Sequence, residues 1–196
     1  QAGAAAARAN ILMAQGKIRN QAINAYVDEE LCSACGLCGD VCPYHAIDVD
    51  KKEKIKAHVV EASCSGCGTC AAECPINAIS MRHFEDQQIY AQIDAILAED
   101  PEDKIVAFAC NWCSYAGGDG AGTARLQYPP NVRLVRTMCS GRVDQKFVQY
   151  AFEKGAPLVL VSGCHFADCH YIDANRWTQR RIERLWNRLE KKDIRP

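Results

Sequence analysis

The chain has 196 residues, about half of them apolar, and a formal net charge of −1. That length holds one or two domains with modest cores, and with no apolar run near 18 residues nothing in it is expected to span a membrane. The 13 cysteines are odd in number and follow no signal peptide, so metal or redox work in a reducing, cytoplasmic setting is expected over a disulfide scaffold. Charge is uneven: residues 1–124 carry 9 Lys and Arg against 17 Asp and Glu, and residues 125–196 carry 14 against 7. The asymmetry suits separate modules or charge-guided docking as well as plain solvation.

In chain order, QAGAAAARAN opens without a Met, and the Ala-rich stretch 2–15 predicts a helix stopped near Gly16. Residues 1–21 read as the tail of an upstream domain. Two runs follow, CSACGLCGDVCP (32–43) and CSGCGTCAAECP (64–75), both C-x2-C-x2-C-x3-C-P and offset by 32 residues throughout. Ala46-Ile47 matches Ala78-Ile79 and Val27 matches Val59, so the segment is an internal duplication. The spacing is that of bacterial-type two-cluster ferredoxins, in which three cysteines wrap a [4Fe–4S] cube and the fourth serves the other repeat's cluster. It assigns Cys32, Cys35, Cys38 and Cys74 to one cluster and Cys64, Cys67, Cys70 and Cys42 to the other. Zinc is the alternative, but zinc sites usually pair two C-x2-C halves across a longer spacer. Tyr44 and His45 read as packing or surface residues. Asn24–Val27 is expected to pair with Ile47–Val49, and His58–Val60 with Ile79–Met81, giving an α+β domain over residues 22–83 with clusters as staples.

Residues 84–103 read as a linker: Ile89, Ile93, Ile96 and Leu97 make one apolar helix face, and AEDPEDK (98–104) a boundary loop. In residues 104–196, short apolar runs at Ile105–Ala109, Val132–Val135 and Leu158–Val161 alternate with helical stretches at Val143–Glu153 and Asn175–Lys192. This is the pattern of an α/β domain with a small parallel sheet. Ligands bind at the carboxyl edge of such a sheet, and there Cys110, Cys113, Cys139, Cys164 and Cys169 converge. Five thiols suit a cluster with one to spare. Zinc and a thioredoxin-type dithiol stand as alternatives, and spacing does not separate [2Fe–2S] from [4Fe–4S]. Cys110, Cys113, Cys164 and Cys169 are expected as ligands and Cys139 as the spare. His165 and His170 could replace thiols as in Rieske centres, but with five thiols present they read as hydrogen-bond donors near the cluster or as lining a docking surface, and Trp112 as the cluster's shield. GGDGAG (117–122) does not fit a dinucleotide fingerprint and reads as a permissive loop. The arginines of the last helix, Arg176, Arg180, Arg181, Arg184 and Arg188, accompany no nucleic-acid motif. They suit an acidic protein partner or solvent. No catalytic acid–base pair stands out.

The stretch ACNWCSYAGGDGAGTARLQYPPNVRLVRTMCSGRVD, with SGCHFADCHY and NRWTQRRIERL, resembles the delta subunit of methyl-viologen-reducing hydrogenase over about residues 103–196. The preceding duplicated module and Ala-rich helix resemble the carboxyl end of the A-type subunit of heterodisulfide reductase. The resemblance implies a [2Fe–2S] cluster in the C-terminal module and FAD in a domain upstream. It implies further heterodisulfide reductase subunits, a [NiFe] hydrogenase or formate dehydrogenase, and soluble ferredoxin as partners. In that setting a bifurcating flavin divides electrons between the CoM–CoB heterodisulfide and ferredoxin. It also implies that chain continues past the IRP of residues 194–196.

Overall fold

A computed structural model describes residues 2–14, 16 and 22–191. The first helix, α1 (Ala2–Ala14), is closed by Gly16, whose φ of +59° turns the chain out of the helix while its N–H donates to Met13 O. Gln15 and Lys192, the expected ends of the first and last helices, and the IRP of residues 194–196 lie outside the described residues.

The duplicated segment forms β1 (Ala25–Val27), α2 (Leu37–Asp40), β2 (Ile47–Asp50), β3 (Ile55–Val59), α3 (Thr69–Glu73) and β4 (Ile79–Met81). The strand pairing differs from the expected one. β2 pairs with β3, and β1 with β4, both antiparallel, with Ile47 opposite Val59 and Val27 opposite Ile79. The turn at residues 51–54 is too short to carry β3 away from β2, so the two fold back as a hairpin. β1 then closes on β4, and each repeat lends one strand to each pair. The core is built of small or medium side chains, among them Ala25, Val41, Ile47, Ala57, Ala71 and Met81, packed around the thiols. So thin an apolar core needs staples.

In the second half β5 (Ile105–Cys110), β6 (Val132–Thr137) and β7 (Leu158–Ser162) form a parallel sheet in the order β6-β5-β7. Residues 84–103 are more than a linker. The helix α4 (Asp86–Ile96) begins at a capping box between Glu85 and Gln88. It buries Ile89 and Ile93 fully against Phe108, Val135 and Phe147 of the sheet domain. The helices α6 (Gln145–Glu153) and α7 (Ala174–Glu190) complete that layer with Val148, Ala151, Ile182, Leu185 and Leu189. The expected loop at 117–122 is instead part of a helix, α5 (Ala116–Thr123). The turn Asn111–Tyr115 leaves β5 already wound, with Ala116 at φ −62° and ψ −35°, and the exposed glycines continue that winding.

Two buried arginines lock the halves together. Arg142, 1% exposed, donates from Nε to Phe84 O and from Nη2 to Asp86. Arg181, 2% exposed, reaches back from α7 to Glu73 at the end of α3 (2.9 Å) and donates from Nη1 to the carbonyls of Gly141 and Val143. Arg184 adds a second bond to Glu73 at 3.1 Å. Burial raises the Asp86 carboxyl, but Lys146 at 2.6 Å and Arg142 outweigh it and hold it below the usual carboxylate range. A depressed carboxyl stabilises the fold above its unfolded pKa of about 3.9, and that stabilisation is lost as pH falls through the lower folded value. Asp86→Asn is therefore expected to lower the unfolding free energy by about 1–3 kcal/mol at pH 7. In urea titrations the deficit should shrink below pH 4; a deficit as large in strong acid would assign the loss to packing instead.

Candidate metal centres

Each half of the duplicated module closes around a cavity rimmed by four thiols. Cys32, Cys35, Cys38 and Cys74 line the first. Cys42, Cys64, Cys67 and Cys70 line the second. The fourth cysteine of each set comes from the other repeat, as the spacing leads one to expect. α2 and α3 position these fourth thiols: each begins inside the C-x2-C loop and carries the chain across to the opposite cavity.

The backbone around both cavities suits a sulfur-rich anionic group. Ala57 N–H points at Cys32 Sγ and Ala25 N–H at Cys64 Sγ, both at 3.5 Å, so each repeat's strand donates to the other repeat's loop. Ala46 and Ala78 donate to Cys42 and Cys74 at 3.5 and 3.2 Å. The turns that aim the last two bonds put His45 and Asn77 at φ +49° and +54°. His45 thus shapes the turn after Cys42, beyond the packing or surface role expected of it. Ala34 and Gly66, also 32 residues apart, share a left-handed backbone. A Cβ on Gly66 would lie 2.5 Å from Ile23 O. Burial pushes the Cys38 thiol up to about 11 and raises Cys67 and Cys70 as well. Such thiols stay protonated unless a metal replaces the proton. Among the described residues no three His, Cys, Asp or Glu side chains converge as a single metal ion requires. The donor set and the eight-thiol, two-cavity arrangement fit a pair of iron–sulfur clusters.

The five remaining thiols gather at the carboxyl edge of the sheet. Cys110 ends β5, Cys139 lies two residues past β6, and Cys164 two residues past β7. Cys110 Sγ stands 3.9 Å from Cys164 Sγ. Metal–sulfur bonds of about 2.3 Å in a tetrahedron place neighbouring sulfurs roughly 3.8 Å apart. Cys139 faces Cys110 and Cys113 faces Cys164, and the Cys110 thiol is also directed at Met138 O, 3.9 Å away. The structure therefore links Cys139, Cys110, Cys164 and Cys113 in one chain of sulfur contacts. The Cys139 thiol and the backbone N–H groups of Trp112, Ser140 and Cys113 bring Cys110 down to about 5. Cys139 is raised by its bond to Cys110 and by burial; burial raises Cys164 to about 12. Cys169, half-buried, packs instead with Tyr44 against Cys67, Cys139, Tyr171 and Ala174. The thiol set aside from sequence as spare, Cys139, thus sits within the group, and Cys169 sits at its margin.

His165 turns its ring to solvent, 80% exposed and 3.8 Å from Asp168, a placement that suits the surface role of the two expected for it. His170 donates its backbone N–H to Cys164, while its ring stacks on Trp112 with centroids 3.7 Å apart. Trp112 remains 41% exposed and shields the site only in part. Its Nε1 donates to Tyr171 Oη at 3.0 Å. Neither Tyr171 nor Tyr44 is marked as a site residue by sequence, since neither belongs to a linear motif.

The second and third thiol sets meet across the domain junction. Cys67 and Cys139 belong to one buried group with Tyr171 and Ala174. The turn Ser140–Arg142 presses against the start of α3: a Cβ on Gly141 would lie 2.4 Å from Thr69 Oγ1, and one on Gly68 would lie 2.7 Å from Arg142 Cδ.

Residues 105–196 match the family described as methyl-viologen-reducing hydrogenase, delta subunit, and residues 18–81 match a 4Fe-4S dicluster domain. The chain is 48% identical, over 186 residues and 94% of its length, to the A-type subunit of the ferredoxin/F(420)H(2)-dependent CoB-CoM heterodisulfide reductase of Methanosarcina acetivorans, of which it spans 23%. It is 49% identical over 98 residues to the D-type iron-sulfur subunit of an F420-non-reducing hydrogenase of Methanococcus voltae, covering half of this chain and 68% of that one. The corresponding hydrogenase subunit of Archaeoglobus profundus is 45% identical over 100 residues, 51% of this chain and 73% of its own length. The chain therefore spans about a quarter of the heterodisulfide reductase subunit and about two thirds of the hydrogenase subunits.

The two left-handed loop positions give opposite expectations. Gly66→Ala should cost about 1–2 kcal/mol from the left-handed backbone alone, plus the clash with Ile23, and should cut iron incorporation at the second set. Ala34→Gly relieves the same strain and should leave incorporation at the first set intact. Iron content and visible absorbance after reconstitution check both; equal loss in the two variants would contradict this account of the loops.

Proposed function

We propose that this chain, which belongs to the methyl-viologen-reducing hydrogenase delta-subunit family and carries a 4Fe-4S dicluster domain, is an electron relay of a heterodisulfide reductase–hydrogenase type complex. It would hold two [4Fe–4S] clusters in a bacterial-type ferredoxin domain and one [2Fe–2S] cluster at the sheet edge. Iron–sulfur clusters supply one-electron carriage at such thiolate sites. The observation that carries the reading is the shared burial of Cys67 and Cys139, which brings the second and third thiol sets together inside one water-excluding contact.

The protein's own residues order the sites. The third set opens to solvent through Cys113, with Trp112, Tyr115, Phe166 and Ile172 exposed on the flanking loops. The first set opens through Cys35, with Leu31 and Ile76 exposed beside it. The second set, with Cys67 and Cys70 buried, lies between. This order suits entry at the sheet edge, passage inward and exit at the first set. Each electron taken up at one end is released at the other, so the chain needs no substrate-converting site. The names of the relatives suggest hydrogenase and heterodisulfide reductase subunits as partners at the two ends. Formate dehydrogenase would serve equally as donor. A flavin domain as acceptor, and its bifurcation between the heterodisulfide and a soluble ferredoxin, would belong to the larger assembly. No helix among the described residues is long and apolar enough to cross a membrane.

The sulfur contacts favour Cys110, Cys113, Cys139 and Cys164 as ligands of the third cluster, with Cys169 to spare. On this assignment Cys139→Ser should abolish the third electron paramagnetic resonance signal of the reduced protein, and Cys169→Ser should keep it. The reverse pattern would restore Cys169 as a ligand, and zinc in place of iron at this site would overturn the relay. Cys42→Ala should remove the cluster of Cys64, Cys67 and Cys70 and spare the other. Loss confined to the cluster of Cys32 would refute the crossed sets.

A further inference from the structure

We propose that the cleft between α6 and α7, beside Cys74, is the docking surface through which an acidic electron-carrier protein exchanges electrons with the first thiol set. The inference rests on the relay reading above and goes beyond it by giving such a partner a surface and a point of contact.

The cleft is built from both halves of the chain. α6 contributes Lys146 and Gln149, α7 contributes Arg184 and Arg188, and the first half contributes Leu37, Cys74 and Pro75. Those last three residues also line the cavity of the first thiol set. A protein seated in the cleft therefore meets Cys74, a member of that set, directly.

The lining is basic. Lys146, Arg181, Arg184 and Arg188 stand against two carboxylates, Glu73 and Asp144. Both carboxylates are already engaged, Glu73 by Arg181 and Arg184, and Asp144 by Lys146. Arg184 stays 60% exposed despite its pair, and Arg188 donates only to the neutral Gln145. Arg176 and Arg180 continue the stripe along α7 at four-residue spacing. Arg176, Arg180 and Arg188 are exposed and make no ion pair with a described residue. Glu183 lies off the stripe, in a separate groove against β7. Uncompensated cations in a concave surface focus the field and steer an oppositely charged partner onto it. The other opening of the first set has the opposite character: the exposed acids Asp28, Glu29 and Glu30 precede Leu31 and Cys35 there. They repel an acidic carrier, which leaves the cleft as its approach.

The test uses the full chain with its clusters, reduced and mixed by stopped flow with one of two oxidised probes, acidic plant plastocyanin or basic mitochondrial cytochrome c. Each probe takes one electron from a reduced cluster, Cu(II) becoming Cu(I) or haem Fe(III) becoming Fe(II), and no bond or proton moves. The plastocyanin rate should fall as salt rises. Arg184→Gln combined with Arg188→Gln should slow it about tenfold at low salt and leave it unchanged at high salt. The same loss of charge at Arg125 and Arg133, which lie outside the cleft, should slow it far less, and neither pair should slow cytochrome c. If the first pair fails to load, Arg188→Glu, which gives up only the bond to Gln145, carries the test. Equal slowing by the two pairs, or a plastocyanin rate indifferent to salt, would overturn the docking surface. So would variants that leave plastocyanin untouched and instead abolish sedimentation with phosphatidylglycerol vesicles, which would assign the stripe to a lipid surface. A loaded chain that reduces neither probe would defeat the relay reading beneath it.

Discussion

The contact between the Ser140–Arg142 turn and the start of α3 fixes the spacing on which everything else depends. Neither Gly68 nor Gly141 has room for a side chain there, so the Arg142 side chain lies directly on the backbone of Gly68 and Thr69 directly on that of Gly141. That approach carries Cys139 into the same buried group as Cys67. Electron exchange between sites weakens steeply with distance, and a junction this close needs no mobile carrier. Its cost is two buried guanidinium groups. Arg142 and Arg181 answer it with the carboxylates of Asp86 and Glu73 and with carbonyls of the chain. Buried charges are tolerated when paired in this way and are punishing when one partner is removed. The pairs therefore specify how the halves dock as much as they stabilise them.

Electrostatics and exposure divide the labour among the thiols. Burial alone would keep Cys38, Cys67 and Cys70 protonated. The energy of metal binding must overcome that, which couples cluster loading to folding. The outermost thiols, Cys35 and Cys113, are exposed and stand at opposite ends of the sequence of sites. In the second set Cys67 and Cys70 are buried and Cys42 and Cys64 half-buried, so none of its thiols is exposed as Cys35 and Cys113 are.

Much of this was legible in the sequence, for reasons that differ from residue to residue. The crossed thiol sets follow from a 12-residue motif that is local. The carboxyl-edge convergence follows from where short apolar runs end, and Cys110 and Cys164 stand where that rule puts them. Strand pairing was not legible, because the repeat suggests that each copy folds on itself, whereas the short turn at 51–54 makes the inner strands a hairpin. Which of the five converging thiols lie nearest one another was not legible either. It depends on side-chain contacts across three strands, and those draw Cys139 in and leave Cys169 beside Tyr44. The glycine-rich stretch 117–122 has every mark of a loop and is helical only because the turn after Cys110 delivers it already wound. Arg142, Tyr44 and Tyr171 carry no signal in the linear chain; their importance exists only once the halves are docked.

On the proposed relay the three sites form a line with the second in the middle, and magnetic coupling reads that order directly. In the fully reduced, loaded protein, spin relaxation of the third-site signal should be accelerated by the second cluster. It should slow to that of an isolated centre in Cys42→Ala, where the second cluster is missing and the first remains. Relaxation at the third site that is unaffected by loss of the second cluster would contradict the account.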